Sequence, residues 1–415
     1  MACKMDAHLT LPMLEFALAR GTHAAGDLLR AKLEILSATN MCDLAAEVRA
    51  EVSGSNAVSA EDAARREAVV ARYGELERAA EKAARLAGDA GAMKLMSRER
   101  KADNAKTAAE VHGVLAADVE ALYKFAKFEY ECGEYERASE HLGAVTILCA
   151  DGERCESALW GKFAADILLQ NWSAALDDMN RLRDAVENNS SSSAFVKMKQ
   201  RAWLLHYALY VFFNHPNGRN LIVDVLFQER YMQAVQQDSP YLLRYLAVAV
   251  VANKKRRNMI KDLVRIIQSD DYRDPALDFV VALFDEYDFV KAAATLKECD
   301  AMIENDFFLV GCKEAFGENA RAYVIENYCR VNKRISIGDL AKSLDMSAAD
   351  VEASITGLIR AHKLDARVDS EAGFAHVRFE AKSINEQIIE KTKALLSKTN
   401  ALTQAVLANT QAQAF

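Results

Sequence analysis

Apolar residues along this chain recur mostly at helical spacing, and the departures gather in one short stretch near the C-terminal end. Leu14 and Leu18, then Leu29, Leu33 and Leu36, form apolar stripes on two helices between Leu11 and Asn40. Pro12 is expected at the start of the first helix, with Gly21 and Gly26 bracketing the turn. From Glu61 to Ala87 the pattern narrows to a seam of Val69, Tyr73, Leu76, Ala80, Ala83 and Ala87, which suits one neighbouring helix. Residues Gly88 to Lys106 are polar and read as a hinge.

Between Val119 and Leu182 the pattern repeats. Tyr135-Glu-Arg-Ala138 stands 37 residues before Trp172-Ser-Ala-Ala175, and each follows an aromatic-containing helix, Tyr123 to Glu131 and Trp160 to Leu169. Small alanines let two helices approach while an aromatic ring fills the groove between them, as in tetratricopeptide-type arrays. Trp160 and Trp172 therefore suit the packing of a repeat better than contact with a ligand. The loop Asn188-Asn-Ser-Ser-Ser-Ser193 separates this pair from a helix over Phe195 to Phe213, which Phe213-Asn-His-Pro216 stops sharply. Helices follow at Leu221 to Phe227, Tyr231 to Gln236, Pro240 to Val251, Asn258 to Gln268, Pro275 to Asp285, Phe289 to Asp300 and Asp306 to Phe316.

The pattern changes between Glu318 and Phe379. A helix from Ala320 to Val331 leads through Ile335-Ser336 into short helices at Ile337 to Leu344 and Ala348 to Ala361. Ser336 and Ser347 each have an aspartate three residues on, which satisfies orphan N–H groups and suits the helix dipole. Leu364, Ala366 and Val368 then alternate with Asp365 and Arg367 at period two, and Phe374 to Phe379 follows a turn closed by Gly373. This is the layout of a winged helix. The last helix, Ile384 to about Leu407, carries Ile388, Leu395 and Leu402 at spacing seven, as a helix docked in a bundle would.

The expected fold is all-α: a right-handed helical-repeat solenoid of TPR or HEAT type, a winged-helix module and a C-terminal helix. The expected domains are an N-terminal repeat region over 1–205, a second unit over 206–382 with its winged helix at about 318–380, and the helix 383–415. With 415 residues, 51% of them apolar, the chain can fill cores of this size. Only 4 prolines and 17 glycines argue against loop-rich β folds. No apolar run approaches 18 residues, so no membrane helix is expected, and eight scattered cysteines with no CxxC pair suit a reducing compartment.

The chemistry of a reaction centre is hard to find in this text. There is no phosphate-loop signature, HExxH or paired CxxC knuckle, and Gly161-Lys162 lacks the spacing that phosphate binding needs. Cys132 and His141 lie nine apart in one repeat, which suits buried packing better than a nucleophile and its base. No catalytic residue, metal or cofactor is expected. Net charge is −8, and the second helix of the winged module, Ala348 to Ile359, has no lysine or arginine but carries Asp350 and Glu352. A helix meant for phosphates should reverse that balance. One basic run remains, Lys254-Lys-Arg-Arg257, leading into a helix where Arg257, Lys261 and Arg265 share a face opposite Ile260, Val264 and Ile267. It offers a contact for RNA or for an acidic partner.

Helical repeats ending in a winged helix resemble the PCI domain of the proteasome lid, the COP9 signalosome and initiation factor 3. The likeness narrows at Leu33-Glu-Ile-Leu-Ser-Ala-Thr-Asn-Met41, Phe125-Ala-Lys-Phe-Glu-Tyr-Glu-Cys-Gly133, Phe212-Phe-Asn-His-Pro-Asn-Gly-Arg219 and Asn305-Asp-Phe-Phe-Leu309. These stretches, with Leu243-Arg-Tyr-Leu246 and Glu318-Asn-Ala-Arg321, are similar to the e-subunit family of eukaryotic translation initiation factor 3, from about Leu11 to Val377. The alanine-rich text from about Glu51 to Leu115 departs from it. The resemblance implies a non-catalytic, cytoplasmic scaffold subunit without small-molecule substrate or membrane contact. Its complex would bind the 40S ribosomal subunit and help recruit mRNA, with subunits c, d and l and the cap-complex scaffold factor as neighbours. A proteasome-lid or signalosome subunit is the alternative. The residues expected to join subunits are Leu364, Ala366, Val368, Phe374 and Val377 on the strands, whose edges can continue into a neighbour's sheet, and Ile388, Leu395 and Leu402 on the last helix. Lys254, Arg257, Lys261 and Arg265 are either a plain solvated helix side or a contact with ribosomal RNA or an acidic partner.

Overall fold

The computed structural model describes residues 4–54, 60–96, 101–189, 192–361, 364–370, 372–377 and 384–413. The helices before the repeat pair are α1 (Ala7–Arg20), α2 (Ala25–Ser37), α3 (Cys42–Ser53), α4 (Ala60–Ala87), α5 (Ala90–Met96) and α6 (Lys101–His112). The pair itself is α7 (Ala116–Cys132), α8 (Tyr135–Leu148), α9 (Gly152–Leu168) and α10 (Trp172–Asn188). Next come α11 (Ala194–Asn214), α12 (Gly218–Leu226), α13 (Glu229–Asp238), α14 (Leu242–Ala252), α15 (Ile260–Gln268), α16 (Pro275–Val281) and α17 (Phe289–Glu304). The chain ends with α18 (Lys313–Val331), β1 (Arg334–Ser336), α19 (Ile337–Leu344), α20 (Ala348–Arg360), β2 (Ala366–Asp369), β3 (Phe374–Val377) and α21 (Ile384–Gln413). Contacts divide it into two compact units, Met1–Arg321 and Ala322–Phe415, with the boundary inside α18.

In the first unit the repeat is plain. Helices α7 to α11 pack in sequential pairs, and Ala138 and Ala175 are fully buried where Tyr135 and Trp172 open their helices. Gly133 closes α7 at φ 92°, and the equivalent residue 37 positions on, Gln170, takes φ 60° without a glycine's freedom. Trp160 packs edge-on against Tyr207, with ring centroids 5.4 Å apart, as repeat packing requires. Gly218 is fixed by space, because a Cβ there would stand 2.3 Å from the Phe212 carbonyl oxygen at the turn after α11.

Several boundaries differ from the sequence expectation. Pro12 lies inside α1, which starts at Ala7 because the Asp6 carboxylate accepts from the His8 N–H at 2.9 Å. The polar stretch read as a hinge forms α5 and α6 on either side of residues 97–100, which lie outside the described residues. Buried Met96 and Ala108 hold these helices in the cluster built around α7 and α8. Helix α18 runs unbroken from Lys313, where two separate helices were expected, and the segment before α15 is a 3₁₀ turn, Lys254–Met259.

The N-terminal segment ties distant helices of this unit together. Lys4 Nζ donates to the Asp238 carbonyl at 2.6 Å and to Ser239 Oγ at 2.7 Å, while the Tyr130 hydroxyl donates to Asp6 at 2.8 Å. His8 Nδ1 meets the Tyr135 hydroxyl at 2.9 Å, the Tyr210 hydroxyl donates to the Leu9 carbonyl, and Phe16 stands edge-on to Phe307. Beneath α8 to α10 lies a buried ionic group. Lys162 Nζ reaches Asp166 at 2.6 Å and Asp178 at 2.5 Å, and Ser139 Oγ donates to Asp166 at 2.7 Å. Burial pulls the Lys162 ammonium down, but its hydrogen bonds to the two carboxylates outweigh that and hold it above its ordinary value.

The second unit is the winged helix. Its sheet has the order β1-β3-β2, antiparallel throughout, with Ile335 opposite Ala375 and Val368 opposite Ala375 on the other side. Ser336 and Ser347 cap α19 and α20 as their spacing requires, accepting from the N–H groups of Asp339 at 3.3 Å and Asp350 at 3.1 Å. Ile335, Ile337, Leu340, Leu344, Val351, Ile355, Ala375 and Val377 are buried. Strand β1 was not foreseen, and residues 378 and 379 of the expected last strand lie outside the described residues.

Candidate assembly surfaces

Helix α21 presents Ile388, Leu395 and Leu402 on one stripe, 56%, 64% and 67% exposed. Ile384, Ile389, Leu396 and Val406 are exposed beside them and widen the apolar surface beyond what the seven-residue spacing picked out. The hydroxyls of Thr392, Thr399 and Thr403 turn back to the carbonyls of Ile388, Leu395 and Thr399 at 2.7–2.9 Å, so they are already satisfied within the helix. A long helix with an apolar stripe left in water is shaped to be covered by another helix.

The strand residues do not form one matching surface. β3 is hydrogen-bonded on both sides, so Phe374 and Val377 belong to a central strand and offer no free edge. Val377 is buried, and Leu364, Ala366 and Val368 are half-buried on alternate positions while Asp365, Arg367 and Asp369 are exposed. The Arg334 guanidinium lies 4.0 Å from the centre of the Phe374 ring. The edges of the sheet are β1 and β2.

The basic helix belongs to the first unit. Ile260, Val264 and Ile267 are buried on one side of α15, and Lys261 and Arg265 are exposed on the other. Arg265 reaches Asp262 at 3.4 Å, and Arg256 pairs with Asp224 at 2.7 Å. Arg257 sits on the 3₁₀ turn ahead of this helix, while the Lys254 side chain lies outside what is described.

Cys132 and His141 do not form a nucleophile and base. His141 Nδ1 is 2.6 Å from the buried Glu129 carboxylate, and burial, then Glu131, pushes the Cys132 thiol up to about 12. Among the described residues no group of three or more histidines, cysteines or carboxylates could hold a metal, and no helix is long and apolar enough to cross a membrane.

Helical repeats, a three-stranded winged helix and a bare terminal helix together define a PCI-type protein. The PCI domain model matches residues 296–379, and the model described as "eIF3 subunit 6 N terminal domain" matches 1–129. That second match spans the whole of the alanine-rich stretch at 51–115, where the sequence was expected to depart from the family. The chain is 38% identical to the E subunit of eukaryotic translation initiation factor 3 from Arabidopsis thaliana, covering 100% of this chain and 96% of that protein. It is 38% identical to the corresponding protein of Bombyx mori, with 97% and 93% covered, and 35% identical to that of Aspergillus fumigatus, with 97% and 91% covered. The chain belongs to the E-subunit family of eukaryotic translation initiation factor 3.

Proposed function

We propose that the chain is a non-catalytic scaffold subunit of the initiation factor 3 complex. It works in the cytoplasm, where it supports binding to the 40S ribosomal subunit, mRNA recruitment and assembly of the pre-initiation complex. The observation that carries this reading is the exposed apolar stripe of α21, which has a use only when other helices cover it. Subunits c, d and l are the proposed neighbours, with the cap-complex scaffold factor a further contact. Residues 206–382 are the proposed PCI domain, and the edges of its sheet together with α21 after it are the proposed joining surfaces. Stable joining needs an interface of roughly 1,600 Å² in total, dominated by a few buried anchors. Ile388, Leu395 and Leu402 supply such anchors, and a neighbour's strand pairing with β1 or β2 would add backbone hydrogen bonds. Lys261 and Arg265 are the proposed contact for ribosomal RNA.

The proteasome lid and the signalosome use PCI subunits as well. Whole-length similarity to proteins named as initiation factor subunits favours the first reading. Co-sedimentation of the tagged chain with 40S particles decides between them: migration with 40S is expected, and migration with lid or signalosome subunits instead would refute it.

A further inference from the structure

Helix α11 carries an exposed feature that the scaffold reading does not use. Phe195, Lys199 and Trp203 follow one another at steps of four, so they stand on one stripe about 6 Å apart along the axis. Phe195 is 60% and Trp203 48% exposed, and the Lys199 ammonium lies 4.6 Å from the centre of the Phe195 ring. Apart from His206, every ionisable side chain on this helix that carries charge is basic: Lys197, Lys199 and Arg201. The acid facing them, Glu187, is shared by Arg201 at 2.7 and 2.8 Å and by Arg230 at 2.9 Å, while Glu156 accepts the Gln200 amide at 2.8 Å. Cations therefore outnumber carboxylates around the start of α11, where the helix dipole also favours an anion.

The composition of the stripe selects its occupant. The centre of a protein-docking stripe is mostly apolar and uncharged, as on α21, and lysine is depleted from the cores of such interfaces. Here a lysine lies between the two exposed rings in sequence, about one helical turn from each, and its ammonium sits over the Phe195 ring. Aromatic faces that take bases of any kind, with a cation between them for the linking phosphate, are the elements of single-strand recognition. We propose that Phe195, Lys199 and Trp203 bind a short stretch of single-stranded RNA, with bases stacked on the rings and a phosphate at the ammonium. The surface takes only a few nucleotides, and the net charge of −8 keeps the contact weak and local. This proposal goes beyond the scaffold reading and does not depend on it.

The test uses the full purified chain and a fluorescein-labelled nine-residue oligoadenylate RNA at low salt, followed by anisotropy and by tryptophan fluorescence. Trp160 and Trp172 are half-buried, so saturable quenching reports mainly on Trp203. Trp203→Leu should abolish the quenching and weaken binding at least about fivefold, and Trp203→Tyr should restore most of the affinity. Phe195→Leu should weaken binding similarly, and Lys199→Gln should reduce the logarithmic salt slope by about 0.7. All three side chains are exposed, so helical circular dichroism should be unchanged. Absence of binding, affinity indifferent to Trp203→Leu, or a nonamer of poly-glutamate that competes as well as the RNA would each overturn the proposal; the last would assign the stripe to an acidic peptide.

Discussion

Replacing Ile388, Leu395 and Leu402 together by glutamine should release the chain from its complex without unfolding it. Full burial of a leucine or isoleucine contributes about 1.5–3 kcal/mol. These side chains are 56%, 64% and 67% exposed in the isolated chain, so covering them gains about 1–2 kcal/mol each. The three together are worth about 4 kcal/mol, roughly a thousandfold in Kd. Glutamine keeps helix propensity close to that of leucine, so α21 should persist. The assay is binding of the purified triple variant to initiation factor 3 prepared without this chain, with thermal melting of the free variant as the folding control. A Kd at least a hundredfold weaker, with an unchanged melt, is expected. Binding within threefold of the unsubstituted chain would refute the reasoning, because the stripe would then be free in the complex too.

Other outcomes follow from the first unit. Lys162→Met strands the buried carboxylates of Asp166 and Asp178 and should cost about 3–5 kcal/mol, read as a lower urea midpoint; adding Asp178→Asn should recover part of it. His206 is fully buried, with one ring nitrogen at the Ala202 carbonyl and the other at the Tyr241 hydroxyl, and burial lowers it from 6.5 to about 4. The unfolded chain then binds the extra proton between those values, so stability falls as pH drops. The loss from pH 7 to pH 5 should be about 2 kcal/mol, and His206→Gln should remove that share of the acid slope while the buried His8, also lowered, keeps its own. Charge reversal of Lys261 and Arg265 should lower affinity for the 40S subunit and flatten its salt dependence, whereas unchanged binding across a salt series would make that side of α15 a plain solvated surface.

The parts of this fold that were legible are those set by local pattern. The repeat showed because its alanines and ring residues recur at a fixed interval, and both serine caps of the winged helix showed because a carboxylate stands three residues on. The misreadings have physical causes. Arg334-Ile-Ser336 is a strand only because β3 pairs with it, and three residues with one buried side chain display no period. Missing that strand made β3 look like an edge. Pro12 drew the start of α1 toward itself, although the Asp6 cap lies six residues earlier. Helices α5 and α6 lack a continuous stripe and are held instead by single buried residues such as Met96 and Ala108. Helices expected at Asp306 to Phe316 and Ala320 to Val331 are bridged by α18, which runs unbroken from Lys313.

The candidate surfaces were legible only in part, for a related reason. Periodicity identifies an apolar stripe but not whether another element covers it. On α21 the spacing-seven residues proved exposed, whereas the alternating Leu364, Ala366 and Val368 are half-buried and Val377 on β3 is buried. Nothing in the sequence marks Phe195 and Trp203 as exposed, because α11 is apolar on several faces and its pattern does not say which face meets water.

Sedimentation of the endogenous chain from native cell extract, with every co-migrating protein identified by mass spectrometry, tests the central claim most directly. A subunit held by its terminal helix should travel with initiation factor 3 and in part with 40S particles, leaving little free. A peak at the mass of the lone 45.9 kDa polypeptide, with no initiation factor subunits beside it, would contradict the account.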